Sequence, residues 1–397
     1  MLRYWIWLAQ AEGLRPATAK RLLEHFPSPE AVYYADETVL AEMKLRPAEL
    51  AALRRKELEP SVEILNQCYR KHIRIMTLND GAYPQFLREI PDPPIVLYHV
   101  GRLPEISDRP KLGVVGARDA SRYGLSVAEE LSRQIAECGG IVVTGLARGI
   151  DTCAAKGALQ TGAPVIGVLG CGVDVVYPPE NLELFRSVAR SGCILSEYPP
   201  GTKPLPMNFP RRNRIISGIS DGVVVVEAAP KSGALITARL ANEQGRDVFA
   251  VPGRLGERSC EGSNRLLRSG AICVTCGWDA VEEYETRYPD TIREPGVQQI
   301  EAAPEDTSDP QPEQPANVPS QPAPQPCEPL QIPDDASEEE RAVLTALSEG
   351  EQHIDEIISR VGLSPAAATT TLTLLQVKGL VAAQPGKRYR LAGALSI

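Results

Sequence analysis

The chain has 397 residues, 43% of them hydrophobic, which allows two or three domains and at least one sizeable core. No apolar run reaches the roughly 18 residues that would span a bilayer, and residues 1–10 lack the basic start and small-residue cleavage site of a signal peptide. The formal net charge of −9 is concentrated in residues 286–340, which hold 2 basic and 13 acidic side chains, whereas residues 1–106 hold 14 of each and residues 107–285 hold 20 of each. A body that is neutral overall can still bind phosphate where its cations converge. The nine cysteines form no spaced framework, so a reducing cytoplasm is the expected setting.

Residues 1–75 read as a small helical domain. Residues 12–26 place Gly13 before a stretch with apolar residues at helical spacing. The pattern suits one half of a helix-hairpin-helix, which offers backbone amides to a DNA phosphate, and it suits a plain helical bundle equally. From about residue 107 short β-branched runs alternate with helices. The runs are 111–115, 140–144, 164–169, 193–196, 222–227 and 247–251, with helices predicted at 125–137, 151–161 and 234–244. Near-continuous apolar strands of this kind are buried on both faces, as in the parallel sheet of a doubly wound α/β fold. Residues 286–335, rich in Pro, Gln and acidic side chains, offer little to bury and are expected to be a disordered linker. It precedes a small C-terminal domain, 336–397, with helices expected at 337–347, 353–361 and 364–378 and a hairpin of strands 379–384 and 388–391.

In an open parallel sheet, the loops after the strands gather along one edge, where ligands bind. Three such loops carry glycine: Gly116-Ala-Arg118-Asp-Ala-Ser121, Gly145-Leu-Ala-Arg148-Gly149-Ile-Asp151 and Ser232-Gly233 at the start of a helix. Glycine lets backbone N–H groups approach a phosphate, and a helix N-terminus adds partial positive charge. The richest stretch runs from Lys203 through Phe209 to Arg211-Arg212-Asn213-Arg214. Arginine forks grip phosphates, and an aromatic ring stacks on an unpaired base. Cations ahead of a helix oppose its macrodipole, which argues against a merely solvated surface.

The exclusions are as informative. No Gly-x-x-x-x-Gly-Lys-Ser/Thr loop occurs, and no Gly-x-Gly-x-x-Gly follows the first strand, so neither a P-loop ATPase nor a dinucleotide enzyme is expected. The four histidines, His25, His72, His99 and His353, are expected to lie outside the α/β domain, which leaves no Cys–His or Ser–His couple there. Cys273 and Cys276 have zinc-like spacing without a second pair, and are expected to lie together on a strand. Asp151 and Glu227 read as a helix cap and a strand-end contact. No metal, cofactor or catalytic residue is expected.

The loops together resemble the DNA-processing protein A family (DprA, also called Smf). The matching stretches are Val115-Gly-Ala-Arg-Asp-Ala-Ser-Arg-Tyr-Gly124, Thr144-Gly-Leu-Ala-Arg-Gly-Ile-Asp151, Tyr177-Pro-Pro-Glu-Asn181, Phe209-Pro-Arg-Arg-Asn-Arg-Ile-Ile-Ser-Gly218, Val226-Glu-Ala228 and Ser232-Gly-Ala-Leu-Ile-Thr-Ala-Arg239. The resemblance implies a dimeric, extended Rossmann-like domain over residues 76–285 and a winged-helix-like C-terminal domain. It implies a cytoplasmic protein that binds and protects single-stranded DNA without ATP. It further implies loading of the RecA recombinase during natural transformation, with single-strand-binding protein as a further partner. It places Gly116, Arg118, Ser121, Arg148, Lys203, Phe209, Arg212, Asn213, Arg214, Ser232 and Gly233 at the DNA. Pro206 stands where relatives often have a lysine, and Lys203 is the substitute available upstream. Two other readings compete. Phosphoribohydrolase-like enzymes have a similar sheet but carry a Pro-Gly-Gly-x-Gly-Thr-x-x-Glu loop, whose glutamate residues 229–238 lack. A protein-interaction scaffold with basic loops is the other.

Overall fold

Proline stands in the first turn of four of the six helices that open the chain, where its missing N–H costs no hydrogen bond and its fixed φ suits the helix. The computed structural model describes residues 1–294, 337–348, 350, 352–378, 380–384 and 388–391. The opening helices are α1 (Leu2–Gln10), α2 (Pro16–His25), α3 (Pro29–Tyr34), α4 (Glu37–Glu42), α5 (Pro47–Arg54) and α6 (Glu59–Arg70). Trp7 ties them together. Its indole N–H donates to the Arg55 carbonyl at 2.8 Å, and Lys56 Nζ lies 5.0 Å from the ring centroids of both Trp7 and Tyr33. The turn between α1 and α2 is pinned to α5 through Glu49. One oxygen of Glu49 accepts from Arg15 Nε at 2.8 Å and Thr18 Oγ1 at 2.7 Å, and the other accepts from the Arg46 N–H at 3.0 Å.

The chain then enters a nine-stranded sheet. In chain order come β1 (Arg74–Thr77), β2 (Val96–Gly101), β3 (Lys111–Val115), β4 (Ile141–Thr144), β5 (Val165–Leu169), β6 (Cys193–Ser196), β7 (Gly222–Val225), β8 (Asp247–Ala250) and β9 (Ile272–Cys273). The helices between them are α7 (Gln85–Glu89), α8 (Arg122–Glu137), α9 (Ile150–Gln160), α10 (Leu182–Ser191), α11 (Asn208–Ile219), α12 (Gly233–Glu243), α13 (Glu261–Arg268) and α14 (Trp278–Val281). Across the sheet the strand order is β1-β2-β6-β5-β4-β3-β7-β8-β9. From β6 to β9 every neighbouring pair is parallel, and β1 and β2 add antiparallel strands at one edge. The fold is therefore the expected extended, doubly wound α/β sheet. The progression β3-β4-β5-β6 runs one way from β3 and β7-β8-β9 the other, so the winding reverses between β3 and β7. Helices leave those two strands toward opposite faces, and a crevice opens at their carboxyl ends.

Three expectations need correction. Residues 286–294 do not belong to the expected linker: Tyr288 and Ile292 are buried against the body, and the Tyr288 hydroxyl donates to Asp221 at 2.8 Å. Lys111, itself buried, donates to Tyr288 at 2.8 Å and pairs with Asp221 at 2.8 Å, so the segment after η-turn Glu282–Tyr284 is fastened to the base of β3 and β7. Residues 295–335 of that expected linker lie outside the described residues. The second correction concerns His99. It belongs to the sheet, in β2, and its Nδ1 lies 3.8 Å from Cys193 Sγ in β6. Burial pushes the Cys193 thiol up to about 12, and burial, with Arg74 nearby, pushes His99 down. A neutral, buried thiol beside a neutral imidazole is a packing contact and not a nucleophile with its base. Third, only Cys273 is on a strand. Cys276 lies in the following turn, where Asp279 accepts from the Thr275 and Cys276 N–H groups at 2.6 and 3.1 Å.

The second compact unit is small. Helices α15 (Glu338–Leu347), α16 (Ile354–Val361) and α17 (Pro365–Val377) accompany an antiparallel sheet of β10 (Gln352–His353), β11 (Val381–Gln384) and β12 (Arg388–Leu391), in the order β10-β12-β11. Leu344, Leu347, Ile357, Leu372, Leu375 and Val381 form its core. This is a winged-helix arrangement, and β10 is a strand that the sequence pattern did not reveal. Ser337 and Glu340 cap α15 reciprocally, and Glu340 also pairs with Lys378 at 2.7 Å.

The Glu49 anchor makes the N-terminal helices sensitive to acid. Burial by itself raises the Glu49 carboxyl, but the hydrogen bonds from Arg15, Thr18 and Arg46 outweigh it and hold the pKa at about 2. A depressed folded value gives stabilisation that is complete above the ordinary value of 4.5 and is lost as pH falls from there through about 2. Glu49→Gln is expected to lower unfolding free energy by about 1–3 kcal/mol at neutral pH, the worth of hydrogen bonds to a charged group. The variant should lose that part of the acid dependence, so the two proteins converge as pH falls. Urea unfolding of both proteins from neutral pH down to about 2 checks it.

Candidate nucleic-acid interface

The loop after β3 crosses the crevice and is held from both sides. On one side the Ala117 N–H donates to the Glu227 carbonyl at 2.8 Å, and the Glu227 carboxylate accepts from the Ser121 N–H at 3.1 Å and Ser121 Oγ at 2.5 Å. Ser121 Oγ in turn accepts from the Gly124 N–H at 3.0 Å and caps α8. On the other side the loop sits directly on the start of α9. The Ile150 N–H donates to the Ala117 carbonyl at 3.2 Å. Two glycines permit this approach. A Cβ on Gly116 would fall 2.5 Å from Ile150 Cγ1, and Gly149 has φ +74° with its Cβ position 2.3 Å from the Ala117 oxygen.

The result is a cleft of about 520 Å³ at the switch point. Among the residues singled out from sequence, Gly116, Arg118, Phe209, Arg212, Asn213, Ser232 and Gly233 line it. Arg118 is exposed, with its guanidinium carbon 4.8 Å from the Phe209 ring centroid. The Tyr177 ring lies 5.5 Å from Phe209 at a tilt of 42°. A cation thus lies over an aromatic face that lines the cleft, and a second ring packs tilted against that face. Asn213 Nδ2 donates to the Gly233 carbonyl at 3.2 Å, joining α11 to the start of α12, whose first turn is capped by Ser232 through the Ala234 N–H at 3.3 Å.

Four of the singled-out residues do not line the cleft. Ser121 supports the β3 loop from behind. Arg148 is exposed at the edge and pairs with Glu180. Lys203 is exposed upstream of α11. Arg214 is buried, with bonds to Glu197 at 2.7 and 3.0 Å and to Asp92 at 3.1 Å. The argument from the helix dipole also changes: Arg211, Arg212 and Arg214 lie within α11 rather than ahead of it. Arg212 is buried too. Its Nη1 donates to the Val168 carbonyl at 2.6 Å, while its Nε is buried without a partner among the described residues. Asp151, facing it, accepts from the Gly145 and Ala147 N–H groups at 3.1 and 3.4 Å. Burial raises the Asp151 carboxyl, and Arg212 and those amides oppose the rise.

One exposed cation of the lining was missed in the sequence, Lys231 in the loop after β7, while Pro206, where relatives often have a lysine, also lines the cleft. Lys231 was legible as a cation inside a glycine-bearing loop, and its proximity to Phe209 was not, because the two are brought together only across the crevice. Tyr177 gave no signal beyond its aromatic side chain in a Tyr-Pro-Pro turn.

The placement of the arginines separates two kinds of substitution. Arg214→Ala is expected to cost about 3 kcal/mol of unfolding free energy, the low end for a broken buried ion pair because Asp92 and Glu197 keep some access to water. Arg118→Ala should stay within about 0.5 kcal/mol of the parent, as an exposed substitution does. Denaturant unfolding of the two variants side by side measures the difference.

The comparisons with known proteins follow this geometry. The family model described as DNA recombination-mediator protein A matches residues 74–285, and the DprA winged helix domain matches residues 320–387. Protein Smf of Synechocystis sp. is 35% identical over 401 residues, covering 98% of this chain and 98% of that protein. DNA processing protein DprA of Streptococcus pneumoniae is 44% identical over 206 residues, 52% of this chain and 72% of that one. The X-ray structure of DprA from Streptococcus pneumoniae superposes with a TM-score of 0.63 at 35% identity, covering 71% of this chain and 98% of that chain. With its sheet, its C-terminal winged helix and full-length similarity in agreement, this chain belongs to the DNA recombination-mediator protein A family of DprA and Smf proteins.

Proposed function

We propose that this chain binds single-stranded DNA in the cleft at the switch point and presents it to the RecA recombinase during natural transformation, without chemistry of its own. The observation that carries this reading is Arg118 stacked over Phe209 at 4.8 Å, in a cleft that also exposes Lys231 and the start of α12. An aromatic face at the mouth of a cleft accepts a base only when that base is unpaired. Arg118 and Lys231 then take the phosphates on either side, and the backbone N–H groups of the glycine loops add donors. The proposed contacts are Gly116, Arg118, Phe209, Arg212, Asn213, Ser232, Gly233 and Lys231. Arg148 serves at the rim once released from Glu180, and Ser121 and Arg214 act by holding the frame.

Relatives from Bacillus subtilis and Streptococcus pneumoniae carry the name DNA processing protein, which agrees with a nucleic-acid substrate. Help to RecA would come from binding energy alone. A homodimer holding two segments of strand raises the local concentration of DNA that RecA can reach, also where single-strand-binding protein already coats it. The eight cysteines of the described residues are all unpaired, which suits a cytoplasmic setting. No described helix is long and apolar enough to cross a membrane.

Oligo-dT is expected to bind more tightly than blunt duplex of equal length, and equal affinity would overturn the reading. Phe209→Ala should cost about 1–3 kcal/mol with little change in salt dependence, as a lost base stack does. Arg118→Ala should reduce the slope of log affinity against log salt by roughly 0.7, as a lost phosphate contact on a single strand does. RecA filament growth on coated DNA should accelerate, with no ATP turnover by the purified protein alone.

A further inference from the structure

We infer that the bound strand continues past the cleft into a second recess walled by the N-terminal helices, so that the turn between α1 and α2 is part of the DNA interface. This rests on the cleft being the single-strand site. The recess measures about 850 Å³, and it shares two wall residues with the cleft, Pro210 of α11 and Ile236 of α12. The two spaces are therefore successive stretches along the exposed sides of α11 and α12, with no intervening element. Phe209 faces the first stretch and Arg211 the second, while on α12 Gly233 and Thr237 face the first and Arg239 the second.

The far wall of the recess is the segment from Ala9 to Ala17, including Gly13, Leu14 and Arg15. Glu49 fixes this turn through Arg15, so it is a preformed surface. Charge in the recess favours an anion. Its acids, Asp92 and Glu197, are both engaged by Arg214. Arg211 is exposed and makes no ion pair among the described residues. The Arg15 and Arg239 side chains are half exposed or more and pair with Glu49 and Glu243. One more group lacks a partner. Tyr198 lines this recess half-buried, and its hydroxyl, which is closed off from solvent, makes no hydrogen bond among the described residues. Leu14, Pro16 and Leu240 give the apolar wall along which bases can lie.

The test uses the full chain with oligo-dT of about 5 and about 15 nucleotides, within the spread of site sizes for single-strand grooves. Arg211→Ala should leave the short oligonucleotide's affinity unchanged and weaken the long one about fivefold, with its salt slope falling by roughly 0.7. Photo-crosslinking of the long oligonucleotide with thiothymidine near either end, read by mass spectrometry, should mark Tyr198 and the peptide of residues 9–17. Long-oligonucleotide binding that Arg211→Ala does not change, with crosslinks confined to the cleft, overturns the extension and leaves the cleft reading standing. That outcome would fit a recess kept for a protein partner. A parent protein that binds neither length defeats the cleft reading and the extension together.

Discussion

A single carboxylate holds the functional edge of this protein in shape. Glu227, at the end of the strand beside β3, accepts from both the backbone and the side chain of Ser121, and its own carbonyl accepts from Ala117. At a reversal of winding the two flanking strands pair with each other but send their helices to opposite faces, so a gap opens beyond their carboxyl ends. The loop after β3 must cross it. With Glu227 on one side and the start of α9 on the other, the loop has one position, and Arg118 projects from it over Phe209. A site whose cation is set by backbone contacts loses little entropy when a strand binds, because the ordering is complete beforehand.

The arginine-rich helix shows how one stretch of cations divides its labour. Of Arg211, Arg212 and Arg214, only Arg211 remains exposed. Arg214 neutralises two acids from other parts of the chain, and Arg212 reaches under the sheet edge to the carbonyl at the end of β5. Buried arginine is tolerated only with partners, because an unpaired buried charge costs several kcal/mol. Arg212 has one direct acceptor and the nearby Asp151, and its buried Nε has no partner among the described residues. The helix therefore attaches the floor to the body with two arginines and offers the third to solvent.

The N-terminal helices and the sheet meet where this third arginine points. The α1–α2 turn, pinned by Glu49, closes one side of the recess beside α11 and α12, so stability in the first seventy or so residues and the shape of the proposed DNA path are linked through the same ion pair. The C-terminal unit stands apart in its chemistry. Its third helix, α17, carries threonine and leucine, and Lys378 at its end is committed to Glu340. Gln376, in its last turn, is the one side chain of that helix among the Arg, Asn and Gln types that read base edges in a major groove.

The sequence by itself determined the strands that are apolar throughout, such as 165–169 and 222–225, because a strand covered on both faces has no polar alternation to hide it. It determined the α/β class, the glycine loops, the winged-helix helices and, through its motifs, the family. β1 and β2 escaped notice because Arg74 opens the short edge strand β1 and His99 interrupts the otherwise apolar run of β2, which lies inside the sheet between β1 and β6. The tertiary structure alone decided which cations reach the ligand side. Local sequence gives Arg211, Arg212 and Arg214 the same character, and only the positions of Glu197, Asp92 and the Val168 carbonyl, contributed by other elements of the fold, send two of them inward. The same holds for Lys231 and Phe209, which chain separation keeps apart and the reversal of winding between β3 and β7 brings into one cleft.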